Sequence, residues 1–299
     1  MTDLAIHLEG VRKSYPHFTL NDIDLKLPAG GVMGFIGANG AGKSTTIRIV
    51  MGLVHQDLGT VRVLGHPMPR EEAAAKRNVG YASEDLRLYS AATLSWHMAF
   101  VRSIYPDSWD ETYAQSLLRR FDLKPEQKIK GLSHGMRVKA ALLLILARRP
   151  LLLILDEPTT GLDPVARQEV LGALMEALAD ERRSIFFSSQ NTLDVEQISD
   201  QITFIDRGGI VDCGDKESFL DRWRRIRLDV PPGVVLPRVP GTVATAGSDR
   251  LPVVTLRNFD PAMTAIYHDA GVTVQAVDTM TLEEIFVSDV MSRREGTAA

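Results

Sequence analysis

Gly37-Ala38-Asn39-Gly40-Ala41-Gly42-Lys43-Ser44 is the stretch on which the reading of this chain turns. It fits G-x-x-x-x-G-K-[ST], in which glycines let a tight loop aim its backbone N–H groups inward around phosphate oxygens. Val32 to Ile36 ahead of it reads as a buried strand. Thr45 to Met51 behind it reads as a helix whose positive N-terminus faces the same anion. In that frame Lys43 reaches the β- and γ-phosphates, and the Ser44 hydroxyl is placed to ligate Mg²⁺. Strand, loop and helix together predict an α/β fold with a nucleotide site at this loop.

A second apolar strand, Leu151 to Leu155, delivers Asp156 and Glu157 at its C-terminal end. Ligands bind at that end of parallel strands, so these carboxylates are expected beside the phosphate loop. Asp156 suits Mg²⁺, and Glu157 is placed to polarise an attacking water. Leu132-Ser133-His134-Gly135-Met136 opens a helix running to Ala147, with Ser133 as its cap. A hydroxyl, a small residue and a helix dipole make a second anion site or an ordinary helix start.

The rest of the chain alternates strands and helices, which predicts a mostly parallel sheet with antiparallel edge strands. Leu4 to Val11 alternates weakly and reads as an edge strand. Leu20 to Leu27 alternates cleanly, and Thr60 to Val63, Ser184 to Ser188 and Gln201 to Ile205 are further strands. Ala92 to Phe121 is helical, with interruptions at Pro106 and Asp110. Asp163 and Pro164 open a helix to about Asp180. Beyond Arg227 the breakers Pro231-Pro232-Gly233 mark a small appended α+β domain, closed by a helix near Leu282 to Val290.

Bulk properties narrow the function classes. Hydrophobic content of 44% and charged content of 24% in 299 residues are those of a folded globular chain of one large domain and one small one. A net charge of −4 argues against a broad nucleic-acid surface. The single cysteine, Cys213, excludes an internal disulfide. Met1-Thr2-Asp3-Leu4 lacks the features of a signal peptide, and Arg148-Arg149-Pro150 interrupts the most apolar stretch, Ala140 to Leu155. These features predict a cytosolic chain whose membrane work falls to a separate protein.

With these motifs in this order, Leu4 to about Phe219 resembles the ATP-binding subunit of an ABC transporter. Leu132 to Met136 is similar to that family's LSGGQ signature, keeping its Ser and second Gly, and Gly161-Leu162-Asp163 resembles its D-loop. The resemblance implies a P-loop NTPase core at 1–225 with a helical subdomain near 85–147, and an accessory domain at 226–299. It implies ATP and Mg²⁺, bound through Gly37, Asn39, Gly40, Ala41, Gly42, Lys43, Ser44 and Thr45, with Ser44 and Asp156 on the metal. Tyr15 resembles the aromatic that stacks on adenine, although a strand-end aromatic packing on its neighbours has the same appearance. Two such subunits, in a homodimer or a similar pair, are implied to close around two ATP molecules. Ser133, Gly135 and Asp163 of one would then face the phosphates of the other.

Two positions depart from the family. Glu84 stands where Gln is usual, and is read either as an oxygen ligand for Mg²⁺ or as part of an exposed acidic pair with Asp85. Gln190 stands where a His usually meets the γ-phosphate, and no His falls between His134 and His268 to replace it. An amide donates to a phosphate oxygen but carries no charge. A slow ATPase with Glu157, Gln190 and Lys43 as catalytic residues is therefore expected, with an ATP-binding regulator as the alternative.

The region after Glu84 is, by resemblance, the face that meets a membrane permease, with Leu86, Leu88, Tyr89, Leu94, Trp96, Met98 and Phe100 forming a docking groove or simply a helical core. Thr281 to Val287 resembles the closing helix of the exporter-like branch. The expected chain is thus cytoplasmic and held at the inner face of the membrane by a permease, with no nucleic-acid partner. A soluble ATPase acting on ribosomes or nucleic acid is the remaining class. Arg222-Trp223-Arg224-Arg225-Ile226-Arg227 is read either as a solvated helix end or as a contact for anionic lipid.

Overall fold

The computed structural model describes residues 3–83 and 87–296, with side chains to 294. The chain divides into two compact units, Met1–Ser199 with Ile205–Ile210, and Asp200–Phe204 with Val211–Ala299. The elements through the first unit are β1 (Leu4–Tyr15), β2 (Phe18–Pro28), β3 (Val32–Ile36), α1 (Lys43–Val50), β4 (Leu58–Val63), β5 (His66–Pro67), α2 (Glu72–Arg77) and β6 (Val79–Ser83). They continue with α3 (Leu94–Ile104), α4 (Glu111–Arg120), α5 (His134–Leu146), β7 (Leu152–Asp156), α6 (Pro164–Ala177), β8 (Ser184–Ser189) and α7 (Thr192–Ile198).

The parallel strands run in the order β3-β8-β7-β6, and β3, β7 and β8 are buried along their whole length. That is why β3 and β7 read as nearly continuous apolar runs rather than alternations, while β8 buries Ser184, Ser188 and Ser189 beside Ile185, Phe186 and Phe187. The antiparallel strands form a sheet of their own, in the order β2-β1-β4-β5. This corrects the edge assignment for Leu4 to Val11: β1 lies between β2 and β4. Its alternation is weak because register shifts fall between Leu4 and Ile6, Leu8 and Val11, and Val11 and Lys13. Each bulge moves an apolar side chain off strict period two. Opposite the last shift, Asp22 takes a φ of 49°, and Leu20 and Ile23 point into the core although they are three residues apart. Leu8, Leu20 and Ile23 share one core with Phe35, Ile47 and Phe186, so both sheets and α1 hold the phosphate loop from below.

The helical stretch breaks where expected. The Asp110 carboxylate accepts from Tyr113 N–H at 2.8 Å and caps α4. Leu94 and Met98 are buried, which removes them from any docking groove, whereas Tyr89, Trp96 and Phe100 are 65%, 49% and 50% exposed. Trp96 stacks on Phe100 with ring centroids 5.3 Å apart. Glu84, Asp85 and Leu86 lie outside the described residues.

The remaining elements are β9 (Gln201–Asp206), β10 (Gly209–Asp215), α8 (Lys216–Arg222), β11 (Trp223–Asp229), β12 (Thr242–Gly247), β13 (Pro252–Arg257), α9 (Met263–Asp269), β14 (Thr273–Thr279) and α10 (Leu282–Gly296). Four of them form an antiparallel sheet in the order β12-β13-β11-β14. The basic run is therefore not a helix end but mostly β11, a central strand whose Trp223, Ile226 and Leu228 are buried. Its arginines stand between these apolar anchors and meet acids of the same unit: Arg222 with Asp212, Arg225 with Glu284, and Arg227 with Asp278. At the start of α10 the Thr281 hydroxyl accepts from Glu284 N–H, and the Glu284 carboxylate accepts from Thr281 N–H. This reciprocal capping box explains why that helix was legible.

Candidate nucleotide site

β3 ends at Ile36, and the chain turns through Gly37 to Gly42 before α1 begins at Lys43. Gly42 has a φ of 117°, and a Cβ there would stand 2.8 Å from Leu20 Cδ2, so the last turn before the helix requires glycine on both counts. Gly40 has a φ of 77° and open space where a Cβ would stand. The Lys43 side chain folds back over the loop, 6% exposed, and its Nζ donates to the Gly37 carbonyl at 2.7 Å. The same Nζ lies 3.2 Å from Glu157 Oε1.

Glu157 is reached from β7, whose last residue is Asp156. It takes a φ of 55°, a left-handed conformation that a non-glycine residue adopts at a cost of about 1–3 kcal/mol. Bonds across the sheet offset that cost. Glu157 N–H donates to the Ser188 carbonyl at 3.2 Å and to its hydroxyl oxygen at 3.1 Å, and the same hydroxyl donates to Asp156 Oδ1 at 2.6 Å. Ser188 thereby orients both acids. It stands in a segment where sequence reasoning singled out only Gln190, because nothing local marks a strand serine as facing a neighbouring strand's acids.

Gln190 closes the cleft from the end of β8. Its backbone N–H donates to Glu157 Oε2 at 3.2 Å, and its side-chain amide donates to Asn39 Oδ1 at 2.7 Å. Thr160 adds a hydroxyl to Glu157 Oε2 at 3.1 Å. Asn39, Gly40, Gly42, Lys43, Ser44, Thr45, Glu157 and Gln190 line one cleft of about 470 Å³ together with Ala38, His17 and Phe18, a size suited to a small organic ligand. His17, from the β1–β2 turn, and Phe18, the first residue of β2, were not foreseen. Tyr15 stands next to this wall, half exposed, with its ring centroid 6.5 Å from that of Phe18.

The residues fit a triphosphate and a divalent ion. The Lys43 ammonium folds over the loop, open space faces Gly40, and among the described residues Glu157 Oε1 has no hydrogen-bond partner besides its ion pair with Lys43. Ser44 and Asp156 offer hard oxygen ligands of the kind Mg²⁺ prefers.

Ser133, Gly135 and Asp163 stand apart from this cleft's lining. The Ser133 hydroxyl caps α5 by accepting from Met136 N–H at 3.2 Å and is exposed. Gly135 lies against α6, with Ala166 Cβ 3.5 Å from where its own Cβ would be. Asp163 caps α6, accepting from Val165 and Ala166 N–H at 2.9 and 3.0 Å. The Ala166 N–H first, then Val165, hold its carboxyl below the usual carboxylate range. His134 fills the position of the signature's first glycine, and its Nε2 lies 3.1 Å from the Thr160 carbonyl oxygen. The side chain thus joins the start of α5 to the loop that carries Glu157.

Comparison with known proteins agrees with this geometry. The ABC transporter family matches residues 20–160. The chain is 29% identical to the daunorubicin resistance ATP-binding protein DrrA3 of Streptomyces coeruleorubidus, over 96% of each chain. It is 31% identical to the Nod factor export ATP-binding protein I of Bradyrhizobium diazoefficiens, over 74% of each. Among solved structures, the ATP-binding subunit of an ABC transporter superposes with a TM-score of 0.66 at 26% identity, covering 73% of this chain and 92% of that one. The DrrA3 match extends through most of the second unit as well. Among the described residues no helix is long and apolar enough to cross a membrane.

Proposed function

The chain belongs to the family of ABC transporter ATP-binding proteins, and from that premise we propose that it hydrolyses ATP to drive export through a separate membrane permease. The observation that carries the hydrolytic part is the meeting of Lys43, Glu157 and Gln190 in one cleft above the phosphate loop. The loop amides from Gly37 to Thr45 hold the phosphates, and Lys43 neutralises the β- and γ-oxygens. Mg²⁺, held by Ser44 and Asp156, offsets phosphate charge when bound. Glu157 orients the attacking water and accepts its proton. The Gln190 amide, already turned toward Asn39, donates to a phosphate oxygen or to that water without adding charge, and turnover is slow for that reason. Tyr15 stacks on adenine, with Phe18 behind it.

Ser133, Gly135 and Asp163 complete the site of a second subunit. Their separation from the cleft of their own chain supports a head-to-tail pair. Tyr89, Trp96 and Phe100 supply the apolar surface for a permease. The outward direction follows the relatives, one named for export and the other for drug resistance. We assign ATPase work to 1–225 and an accessory role to 226–299.

The test is affinity purification of the chain from detergent-solubilised native membranes, followed by mass spectrometry. A multi-span protein in stoichiometric amount is the expected result. Ribosomal or nucleic-acid-bound material without a membrane protein would overturn the transport reading.

A further inference from the structure

The roles above leave the buried carboxylate of Asp194 unused. Asp194 lies in the first turn of α7, four residues beyond Gln190, and is 1% exposed. Its Oδ2 accepts from the Thr159 hydroxyl at 2.5 Å, and its Oδ1 accepts from Arg167 Nε on α6. A carboxylate so enclosed needs a counter-charge, and Arg167 provides it. Thr159 and Thr160 are adjacent, yet their hydroxyls go opposite ways, the first to Asp194 and the second to Glu157 Oε2. Glu157 Oε2 in turn accepts from Gln190 N–H. The result is a closed ring: Glu157 to Thr159 along the chain, across to Asp194, back along the chain to Gln190, and across to Glu157.

We infer that Asp194, balanced by Arg167 and acting through Thr159, is a positioning residue that fixes the Glu157 carboxylate against the Gln190 segment. The ring joins the groups assigned to water and includes no residue of the phosphate loop, which it meets only where Glu157 faces Lys43 and Gln190 faces Asn39. Its loss therefore slows turnover and spares nucleotide binding. The left-handed backbone at Glu157 gives the ring something to hold, because a strained residue relaxes once its neighbours release it. This inference rests on the ATPase reading above.

Steady-state MgATP hydrolysis by the purified full chain tests it, with Thr159→Val removing the hydroxyl at nearly constant shape and Thr159→Ser restoring it. The expected result is a fall in kcat of about tenfold or more in Thr159→Val, with KM for MgATP within about twofold, since small misplacements of reacting groups cost this much. Thr159→Ser should regain most of the loss. The double variant Asp194→Asn with Arg167→Gln, which removes both charges together, should show the same kcat-only defect. A wild-type kcat in Thr159→Val, or Thr159→Ser no better than Thr159→Val, would overturn the inference. So would a parallel loss of kcat, affinity and thermal midpoint, which marks a purely structural contact. A wild-type chain with no turnover would instead sink the ATPase reading, and this inference with it.

Discussion

Lys43 Nζ stands 3.2 Å from Glu157 Oε1, so the cation that would meet a phosphate is paired with the carboxylate that would prepare the water. Both side chains are buried, and incoming phosphates must compete with the carboxylate for the ammonium. Replacing Glu157 by Gln removes the competing charge and the base together. The expected outcome is several-fold tighter ATP binding and an ATP-bound dimer that elutes earlier on gel filtration. Unchanged affinity and elution would mean that the pair does not compete with the nucleotide.

Lys43→Met removes the only ammonium that lines the cleft among the described residues. Charge-assisted hydrogen bonds contribute about 1.5–3 kcal/mol, which corresponds to roughly 10–100-fold in affinity. Titration calorimetry with MgATP should show that loss. An affinity within twofold of wild type would remove Lys43 from the phosphate site.

Gln190→His tests what the amide costs. Its side chain now donates to Asn39 Oδ1, a bond that an imidazole at the same place can replace while also offering a charged form. Turnover should rise. If it does not, Gln190 is not the limiting feature.

Asp110 gives a prediction about stability and pH. It caps α4 and also accepts from Arg149 Nε at 2.9 Å. The Tyr113 N–H first, and then Arg149, hold its carboxyl below the usual carboxylate range. A folded-state pKa below the unfolded value of about 3.9 contributes stability that is present in full above that value. The contribution is lost as pH falls through the folded pKa. Asp110→Ala should cost about 1 kcal/mol at pH 7 in urea unfolding, a typical figure for a lost cap. The gap to wild type should narrow below about pH 4. A gap independent of pH would show that the charge contributes nothing.

The parts of this chain that were legible in sequence are those where chemistry and local geometry coincide. The phosphate loop declares itself because backbone turns, lysine and hydroxyl must fall within eight residues. Asp156 and Glu157 were found because an apolar strand must end where ligands bind. Ser188, Thr159 and Asp194 were not, because each earns its place through a partner about 30 residues away across the sheet. Bulges concealed the central place of β1. Charge concealed β11, whose buried face is only Trp223, Ile226 and Leu228 among arginines that pair within their own sheet and helix. The short helix α7 was missed because seven residues hold too few turns for a period to stand out.

Phosphate release from MgATP by the purified full chain, beside Glu157→Gln and a sample with excess EDTA, separates a hydrolase from a chain that only binds nucleotide. Slow, Mg²⁺-dependent release by the wild type is expected, reduced on the order of 100-fold or more in Glu157→Gln, as when a general base is removed. Wild-type release equal to that of Glu157→Gln, or absent altogether, would contradict Glu157-dependent hydrolysis.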